Sequence, residues 1–359
     1  MLKILYAGSP APAAKTLKLL LEKSSAAMNG LQDKNCGGEN LSQAQNRGWK
    51  IAGVLTNPPS AKGRHKELLP TDVAALAQEN GIPVFCPQKL DAAAREQIAA
   101  FGFDALVCFA YGKIFGPKFL SLFKAGGVNV HPSLLPKYRG ATPVPQAILN
   151  CDSETGVTVQ ALALGMDEGE ILAQEKIALD GTETSDFLLD KSAVIAADLL
   201  DGLLTKAFQN GAADVLQKGR AQEGEASYTK IILKEDALIN WNDSAKKIAA
   251  AIRAYTSEPG AWTRIGGETG ETLKILKAFP LDEECSQDQN AAASLGQSAD
   301  FVSAAAPGTV AAFDKRLGIL VKCGQGFLCV TELQRQQKKA MGYKDFMNGA
   351  RDFVGTRLG

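Results

Sequence analysis

LKILYAGSP, residues Leu2–Pro10, combines a short apolar run with a turn. Leu2–Ala7 is mostly apolar, which is typical of a strand buried on both faces. Gly8, Ser9 and Pro10 mark the turn that ends this strand, and leucines at helical spacing follow in 13–23. A buried strand, a tight turn and a helix in this order form the first unit of an α/β fold.

The same alternation continues through the first half of the sequence. Apolar runs that predict strands are separated by segments in which apolar residues recur every three or four positions, as in helices. The further predicted strands are 51–56, 83–86, 105–110, 128–131, 158–164 and 171–179, and the predicted helices are 13–23, 73–80, 92–101 and 184–208. This order predicts a mostly parallel, doubly wound sheet, in which ligands bind beyond the carboxyl ends of the strands. His131 lies at one of those ends.

The last third of the sequence has a different pattern. A predicted helix at 244–255 precedes short β-like runs at 261–265, 273–279, 308–313, 318–323 and 326–333. Five short strands in about a hundred residues predict a compact β-barrel of the oligonucleotide-binding type. We therefore predict a first domain at 1–209, a linker at 210–229 and a C-terminal β-barrel domain at 230–359. Polar segments at 30–47 and 282–306 are predicted surface insertions.

Overall composition is that of an ordinary globular protein. Hydrophobic residues make up 45% and charged residues 22%, and 39 Lys and Arg balance 39 Asp and Glu, so nucleic-acid binding would need local basic patches. Seven cysteines without a C-x-x-C pair and two histidines argue against a structural zinc site. This cysteine usage predicts a reducing, cytoplasmic compartment. No apolar run approaches the roughly 18 residues that a membrane span needs.

Residues Asn129–Gly140, NVHPSLLPKYRG, hold the strongest chemical signal in the sequence. Asn129 and His131 are two apart, so they share one face of an extended strand. An amide donor beside an imidazole that titrates near neutral pH suits a reaction in which negative charge develops on one oxygen. The alternative is a structural histidine at a strand end, beside an asparagine that forms a turn.

Asp167 lies in a second candidate segment, Gly165–Gly169, which reads GMDEG. A carboxylate brought against His131 would raise the pKa of the imidazole and fix its tautomer. Aspartates in turns between glycines are also common for purely structural reasons. The separation of Asp167 and His131 along the chain gives no distance, so both interpretations stay open.

Basic residues cluster in two places. Lys62, Arg64 and Lys66 belong to a loop after the second predicted strand, and Lys338 and Lys339 lie on or beside the predicted barrel. Each cluster could bind phosphate groups of a nucleic acid. The loop could equally be solvated surface, and the late cluster, taken alone, would usually be only a solvated face.

Several motifs together resemble the 10-formyltetrahydrofolate-dependent formyltransferases. They are Asn129–Gly140, Gly156-Val157-Thr158 and the GMDEG segment. Further segments are similar to the branch of this family that formylates methionyl-tRNA, namely Ala7–Pro10, Thr56–Pro58 with Gly63-Arg64, Asn240-Trp241, Arg253–Tyr255 and Lys338–Met341. The resemblance covers nearly the whole chain. Pro132 departs from it, because glycine is common at that position.

The resemblance implies a Rossmann-like catalytic domain and a C-terminal barrel of the oligonucleotide-binding type. It implies transfer of a formyl group from 10-formyltetrahydrofolate to the α-amine of methionyl initiator tRNA, for translation initiation, without a metal. The implied catalytic residues are Asn129, His131 and Asp167. The residues implied to line the folate site are Ser133, Leu134, Leu135 and Pro136. The residues implied to bind tRNA are Lys62, Arg64, Lys66, Lys338 and Lys339. We expect a cytoplasmic monomer that does not contact a membrane.

The implied chemistry begins when a neutral amine attacks the formyl carbon and an oxyanion forms. Asn129 and a protonated His131 would donate hydrogen bonds to that oxygen, and Asp167 would keep His131 charged and help to move the amine proton. A formyltransferase for a small amine, such as a nucleotide sugar or glycinamide ribonucleotide, would use the same residues, as would a hydrolase that releases formate. The β-rich, basic last third and the basic loop Lys62–Lys66 argue against the small amine. A non-catalytic tRNA-binding or nucleotide-binding protein would not need the three catalytic residues.

Overall fold

The computed structural model describes residues 1–29, 47–62, 67–256, 258–267, 269–281 and 305–359. The chain divides into two compact units. The first unit comprises Met1–Pro143, Glu154–Ala178 and Leu188–Thr229, and the second comprises Val144–Ser153, Leu179–Phe187 and Lys230–Gly359. The predicted insertions at 30–47 and 282–306 fall almost entirely outside the described residues.

The chain up to Thr229 alternates strands and helices. The strands are β1 (Leu2–Gly8), β2 (Trp49–Leu55), β3 (Ser60–Lys62), β4 (Glu67–Leu69), β5 (Val84–Phe85), β6 (Ala105–Phe109), β7 (Gly127–His131), β8 (Arg139–Gly140), β9 (Glu154–Ala161), β10 (Ile171–Ala178) and β11 (Tyr228–Thr229). The helices are α1 (Ala11–Asn29), α2 (Asp72–Glu79), α3 (Ala92–Ala99), α4 (Pro117–Leu120), α5 (Pro143–Leu149), α6 (Ser185–Asn210) and α7 (Ala212–Gln217).

A seven-stranded sheet forms the centre of the first unit, in the order β10-β9-β7-β6-β1-β2-β5. The strands from β7 to β5 in this order are parallel, and β9 is antiparallel to both β7 and β10. This arrangement confirms the predicted Rossmann-like, mostly parallel sheet. Because β1, β6 and β7 are neighbours in parallel register, the carboxyl ends of these strands lie side by side at one edge.

Local sequence explains why these elements form where they do. Thr71 and Asp91 cap the helices α2 and α3, since each side chain accepts a hydrogen bond from the backbone N–H three residues later. The strands β1 and β6 are apolar because the sheet buries them, and Leu5, Leu106 and Phe119 belong to one buried cluster of the first unit.

Side-chain hydrogen bonds join the loops at the carboxyl edge of the sheet. Asn57 follows β2, and its amide Nδ2 donates to Ser9 Oγ at 3.0 Å and to the Tyr111 carbonyl O at 2.9 Å. Ser9 follows β1 and Tyr111 follows β6. One asparagine therefore connects three loops beside the strand that carries His131.

The second unit contains a curled antiparallel sheet. Its elements are α8 (Ala245–Ala254), β12 (Trp262–Ile265), β13 (Glu271–Leu281), β14 (Val310–Asp314), β15 (Gly318–Lys322), β16 (Phe327–Arg335), β17 (Met341–Gly342) and α9 (Tyr343–Gly349). The strand order is β12-β13-β16-β15-β14, with β17 beside β16. Arg357 bridges Thr309 before β14, and Leu358 bridges Ile265 of β12. The last residues therefore join both edges of the sheet, as expected for a barrel-like domain.

Residues 210–229, predicted as a linker, contain α7 and β11 and belong to the first unit up to Thr229. The domain boundaries at 209/210 and 229/230 stay a prediction. The hairpin of β3 and β4 and the short strands β8, β11 and β17 had no counterpart in the sequence-based prediction. Within the described part of the chain, no helix is both long and apolar enough to cross a membrane.

Candidate active site

The strand β7 brings Asn129 and His131 to one carboxylate. Asn129 Nδ2 donates to Asp167 Oδ1 at 3.3 Å, and His131 Nδ1 lies 3.5 Å from Asp167 Oδ2. Both side chains lie on the same face of β7 because they are two residues apart, as predicted. The structure thus places the three sequence-predicted catalytic residues together.

Both ring nitrogens of His131 face oxygen atoms. Nε2 lies 2.8 Å from the carbonyl O of Tyr138, and because a carbonyl can only accept, Nε2 carries a hydrogen. In the neutral ring, the lone pair of Nδ1 then points towards Asp167. The Tyr138 carbonyl therefore fixes which nitrogen is free to take a proton on the Asp167 side.

The imidazole of His131 is buried, with 4% of the residue exposed. Burial lowers its pKa below the usual value, and the negative charge of Asp167 and the hydrogen bond to the Tyr138 carbonyl oppose this effect only in part. At neutral pH this lowered pKa favours the neutral ring in the free protein, and the protonated His131 expected beside the oxyanion stays a prediction.

Asp167 is held by hydrogen-bond donors from two other segments. Gln160 Nε2 donates to Oδ1 at 2.8 Å, and the backbone N–H of Gly140 donates to Oδ2 at 2.8 Å. Gln160 lies on β9 directly opposite Asn129 of β7, so two amide donors converge on Oδ1. These donors fix the direction in which the carboxylate faces His131.

Two residues of the site adopt left-handed backbone conformations. The φ angles are +62° at Tyr138 and +54° at Asp167. Aspartate tolerates this region better than most residues, but a tyrosine there costs of the order of 1–3 kcal/mol, which the surrounding contacts must offset. The conformation of Tyr138 coincides with the carbonyl that contacts His131, so the strained residue lies within the site itself.

Pro132 forms a tight turn directly after the strand. The Ser133 N–H donates to the His131 carbonyl O at 2.9 Å, which closes a three-residue turn centred on the proline. The fixed φ of proline suits the common form of this turn. The turn therefore accommodates proline where the resembled family often has glycine.

The loop Ser133–Pro136 is anchored from within. Ser133 is fully buried, its Oγ donates to the Lys137 carbonyl at 2.6 Å, and its own carbonyl accepts from Thr158 Oγ1 at 2.7 Å. Leu135 is also buried, whereas Leu134 and Pro136 are half-buried. Of the four residues predicted to line the folate site, Leu134 and Pro136 thus have side-chain surface available to a ligand.

The structure describes three of the five predicted basic residues. Lys62 ends β3, and Arg64 and Lys66 lie outside the described residues. Lys338 and Lys339 are exposed in the turn between β16 and β17 of the second unit. In the described ranges, no group of three or more His, Cys, Asp or Glu side chains is placed to hold a metal ion.

Sequence reasoning missed several groups that contact the three residues. Gln160 had a usable signal, since it is an amide between the apolar residues Val159 and Ala161 of a predicted strand, and it is 2% exposed. Gln222 had no comparable signal, because it lies in a polar segment. Its Nε2 donates to the backbone carbonyls of Asp167 and Gly169, each at 2.8 Å.

Comparison with known proteins identifies the family of the chain. The family described as Formyl transferase matches residues 30–200, and the family described as Formyl transferase, C-terminal domain, matches residues 231–351. The methionyl-tRNA formyltransferase of Treponema denticola is 38% identical over 362 residues, which cover 98% of this chain and 98% of that protein.

Two solved structures share the fold. The methionyl-tRNA formyltransferase from Clostridium thermocellum superposes with a TM-score of 0.50 at 18% identity, and the match covers 77% of this chain and 93% of that one. HypX from Aquifex aeolicus, in complex with tetrahydrofolic acid, superposes with a TM-score of 0.52 at 16% identity, over 77% of this chain and 44% of that one.

Proposed function

This chain belongs to the methionyl-tRNA formyltransferase family, and from that premise we propose that it transfers a formyl group from 10-formyltetrahydrofolate to the α-amine of methionyl initiator tRNA, for translation initiation. The observation that carries the proposal is the meeting of Asn129 and His131 with Asp167. An amide donor, a titratable imidazole and a carboxylate are the groups that acyl transfer to an amine needs.

The oxyanion is stabilised by the two donors of β7. When the amine nitrogen attacks the formyl carbon, the carbonyl double bond opens and its oxygen becomes negative. Asn129 Nδ2 and His131 Nδ1 lie on the same face, so both can donate to that oxygen once Nδ1 carries a proton. Asn129 is a donor that is already in place, and such a donor stabilises the developing charge with little reorganisation of the site.

Protons move from the attacking amine to the leaving nitrogen of the folate. The free protein favours a neutral His131, whose Nδ1 has a lone pair, so this atom can accept the amine proton. Asp167 stabilises the imidazolium that results. The C–N bond to the folate then breaks as that nitrogen receives a proton, directly from the imidazolium or through water, and formyl-methionyl-tRNA and tetrahydrofolate are released.

The folate donor is supported by apolar surface near the site. Leu134 and Pro136 are half-buried in the loop after His131, and Leu164 and Met166 are exposed in the loop that carries Asp167, at 73% and 62%. Exposed apolar side chains beside a polar site are typical of ligand-binding grooves. The tetrahydrofolic acid complex of the structural relative from Aquifex aeolicus is consistent with this donor.

The tRNA substrate requires cations that contact phosphate groups. We assign this role to Lys62, Arg64 and Lys66 of the first unit and to the exposed Lys338 and Lys339 of the second. The working form of the protein would be a cytoplasmic monomer. Sedimentation of the free protein at micromolar concentration tests that state, and a dimer would contradict it.

The decisive experiment compares acceptors under single-turnover conditions. Purified protein and 10-formyltetrahydrofolate are mixed with methionyl initiator tRNA, methionyl elongator tRNA or small amines, and formylated product is measured. We expect product on the initiator tRNA and loss of it in His131→Ala, with tRNA binding retained. Product on a nucleotide sugar or glycinamide ribonucleotide alone, or release of free formate alone, would contradict the proposed acceptor.

A further inference from the structure

The segment Gly219–Thr229, here called the strap, runs along the candidate active site within the first unit. At its beginning, Arg220 exchanges two backbone hydrogen bonds with Ile171 at the start of β10, at 2.8 and 3.0 Å. At its end, β11 pairs in parallel with β8. The strap is therefore fixed to the sheet at one end and to the loop after His131 at the other.

Gln222, near the middle of the strap, uses both ends of its amide. Nε2 donates to the carbonyl oxygens of Asp167 and Gly169, both at 2.8 Å. Oε1 accepts from Arg139 Nε at 3.1 Å and from Arg139 Nη2 at 2.8 Å. One side chain thus connects the loop that carries Asp167 to the segment that follows the Ser133–Pro136 loop.

The end of the strap holds the backbone groups that touch the catalytic residues. Ser227 Oγ accepts from the Tyr138 N–H at 2.9 Å, and the Ser227 carbonyl accepts from the Arg139 N–H at 2.8 Å. Tyr138 provides the carbonyl for His131, and Gly140 provides the N–H for Asp167. The pairing therefore fixes both of these groups.

We infer that the strap orients the catalytic residues and that Gln222 is a positioning residue, which holds the Asp167 loop so that the carboxylate faces His131. Gln222 contacts neither His131 nor the Asp167 carboxylate. It acts through the backbone of Gly165–Gly169 and through Gln160, whose Oε1 lies 3.5 Å from Gln222 Nε2 and whose Nε2 donates to Asp167 Oδ1. The expected effect on kcat rests on the proposed function. The expected effect on the position of Asp167 beside His131 rests on the contacts alone. A displacement of a catalytic group by about 1 Å can cost about a hundredfold in rate.

The test replaces Gln222 and a matched control glutamine. Gln222→Met keeps the length of the side chain and removes both kinds of hydrogen bond. Gln222→Glu keeps an acceptor for Arg139 but places a carboxylate against the two carbonyls. The control is Gln217→Met. Gln217 lies in α7, and its Nε2 donates a hydrogen bond to the Lys124 carbonyl at 3.4 Å.

We expect both Gln222 variants to lower kcat for formyl transfer by about ten- to a hundredfold, with KM for tRNA and for the folate changed less than about twofold. Gln217→Met should match the parent. A parent-like kcat in Gln222→Met overturns the inference. Gln222→Glu as active as the parent also overturns it, because the contact with Arg139 would then suffice.

A second readout does not depend on activity. The chain has two histidines, so NMR titration of the imidazole nitrogens resolves His131 once His131→Asn identifies its signals. We expect the pKa of His131 to fall further in Gln222→Met, because the Asp167 carboxylate is held less firmly beside it. An unchanged titration in Gln222→Met sinks the inference even if kcat falls, because the loss of rate would then have another cause. If the parent fails to formylate methionyl-tRNA but the titration still moves, the proposed function fails while the positioning role stands.

Discussion

Asp167→Asn is the substitution that tests the proposed mechanism most directly. The change preserves the shape of the side chain but removes its charge. Around the parent carboxylate, Gln160 and Asn129 donate to Oδ1 and Gly140 donates to Oδ2. An asparagine offers one acceptor oxygen, so its amide nitrogen must face some of these donors or His131. If it faces His131 Nδ1, it donates to that atom and blocks the position that would accept the amine proton.

The magnitude follows from the distance between the two charged groups. Asp167 Oδ2 lies 3.5 Å from His131 Nδ1, and two unit charges at that separation attract by about 5 kcal/mol at an effective dielectric constant of about 20. The asparagine dipole retains a small part of this interaction. We therefore expect a loss of about 4 kcal/mol of transition-state stabilisation, which corresponds to about a thousandfold lower rate.

The assay is single-turnover formyl transfer to methionyl initiator tRNA, with tRNA binding measured in parallel. A suitable control is Asp198→Asn, since Asp198 is an exposed aspartate of α6, outside the segments that form the site, and is paired with Lys23 at 2.7 Å. The control should keep the parent rate, because exposed ion pairs contribute little. Transfer by Asp167→Asn within about threefold of the parent would refute the electrostatic role of the carboxylate.

Three further predictions concern the same structural features. Because burial lowers the pKa of His131 in the folded protein, the unfolded chain binds a proton at this residue more readily. The free energy of unfolding should therefore fall as the pH drops below about 6.5. Urea denaturation at two pH values should show a smaller fall in His131→Asn than in the parent. In Gly169→Ala, the added Cβ would collide with the Ala161 carbonyl, so thermal denaturation should show a lower Tm and transfer assays a lower rate. The control is Gly202→Ala, where the added Cβ has open space in α6. It should raise the free energy of unfolding by up to about 1 kcal/mol. Replacing Lys338 and Lys339 by Ala should weaken tRNA binding. The slope of log affinity against log salt concentration should also become shallower, by the amount expected for up to about two lost phosphate contacts. Unchanged binding at every salt concentration would remove these lysines from the interface.

The sequence predicted the fold well wherever burial imposes a regular pattern. The strands β1 and β6 are mostly apolar because they are buried in the sheet, and their prediction needed no knowledge of distant contacts. The hairpin of β3 and β4 could not be predicted in this way, because Glu67, Leu68 and Leu69 are all exposed and show no alternation of burial. The short strands β8 and β11 depend on pairing with each other across many intervening residues, which no local pattern reveals.

The site was predictable in part for a related reason. Asn129 and His131 share a strand, so their common face follows from spacing alone. Asp167 reaches Asn129 and His131 because the loop after β9 turns back towards β7. The sequence pattern alone left the role of Asp167 open. The backbone donors and acceptors at Gly140 and Tyr138 were not predictable at all, since any residue carries such groups and only the fold aims them. Gln222 was missed because polar segments are usually solvated, whereas this one is fixed to the site.

The opposed influences on His131 explain how one histidine could serve two steps of the reaction. Burial favours the neutral ring in the free protein, and a permanently protonated ring would have no position left for the amine proton. As the amine attacks, a negative oxygen forms on the side where Asp167 already lies, and two nearby negative charges raise the pKa of the imidazole. The proton would then be taken up as the oxyanion forms and returned as the folate leaves. This requires that Asp167 cannot turn away, which is the role that the donors from Gln160 and Gly140 fulfil.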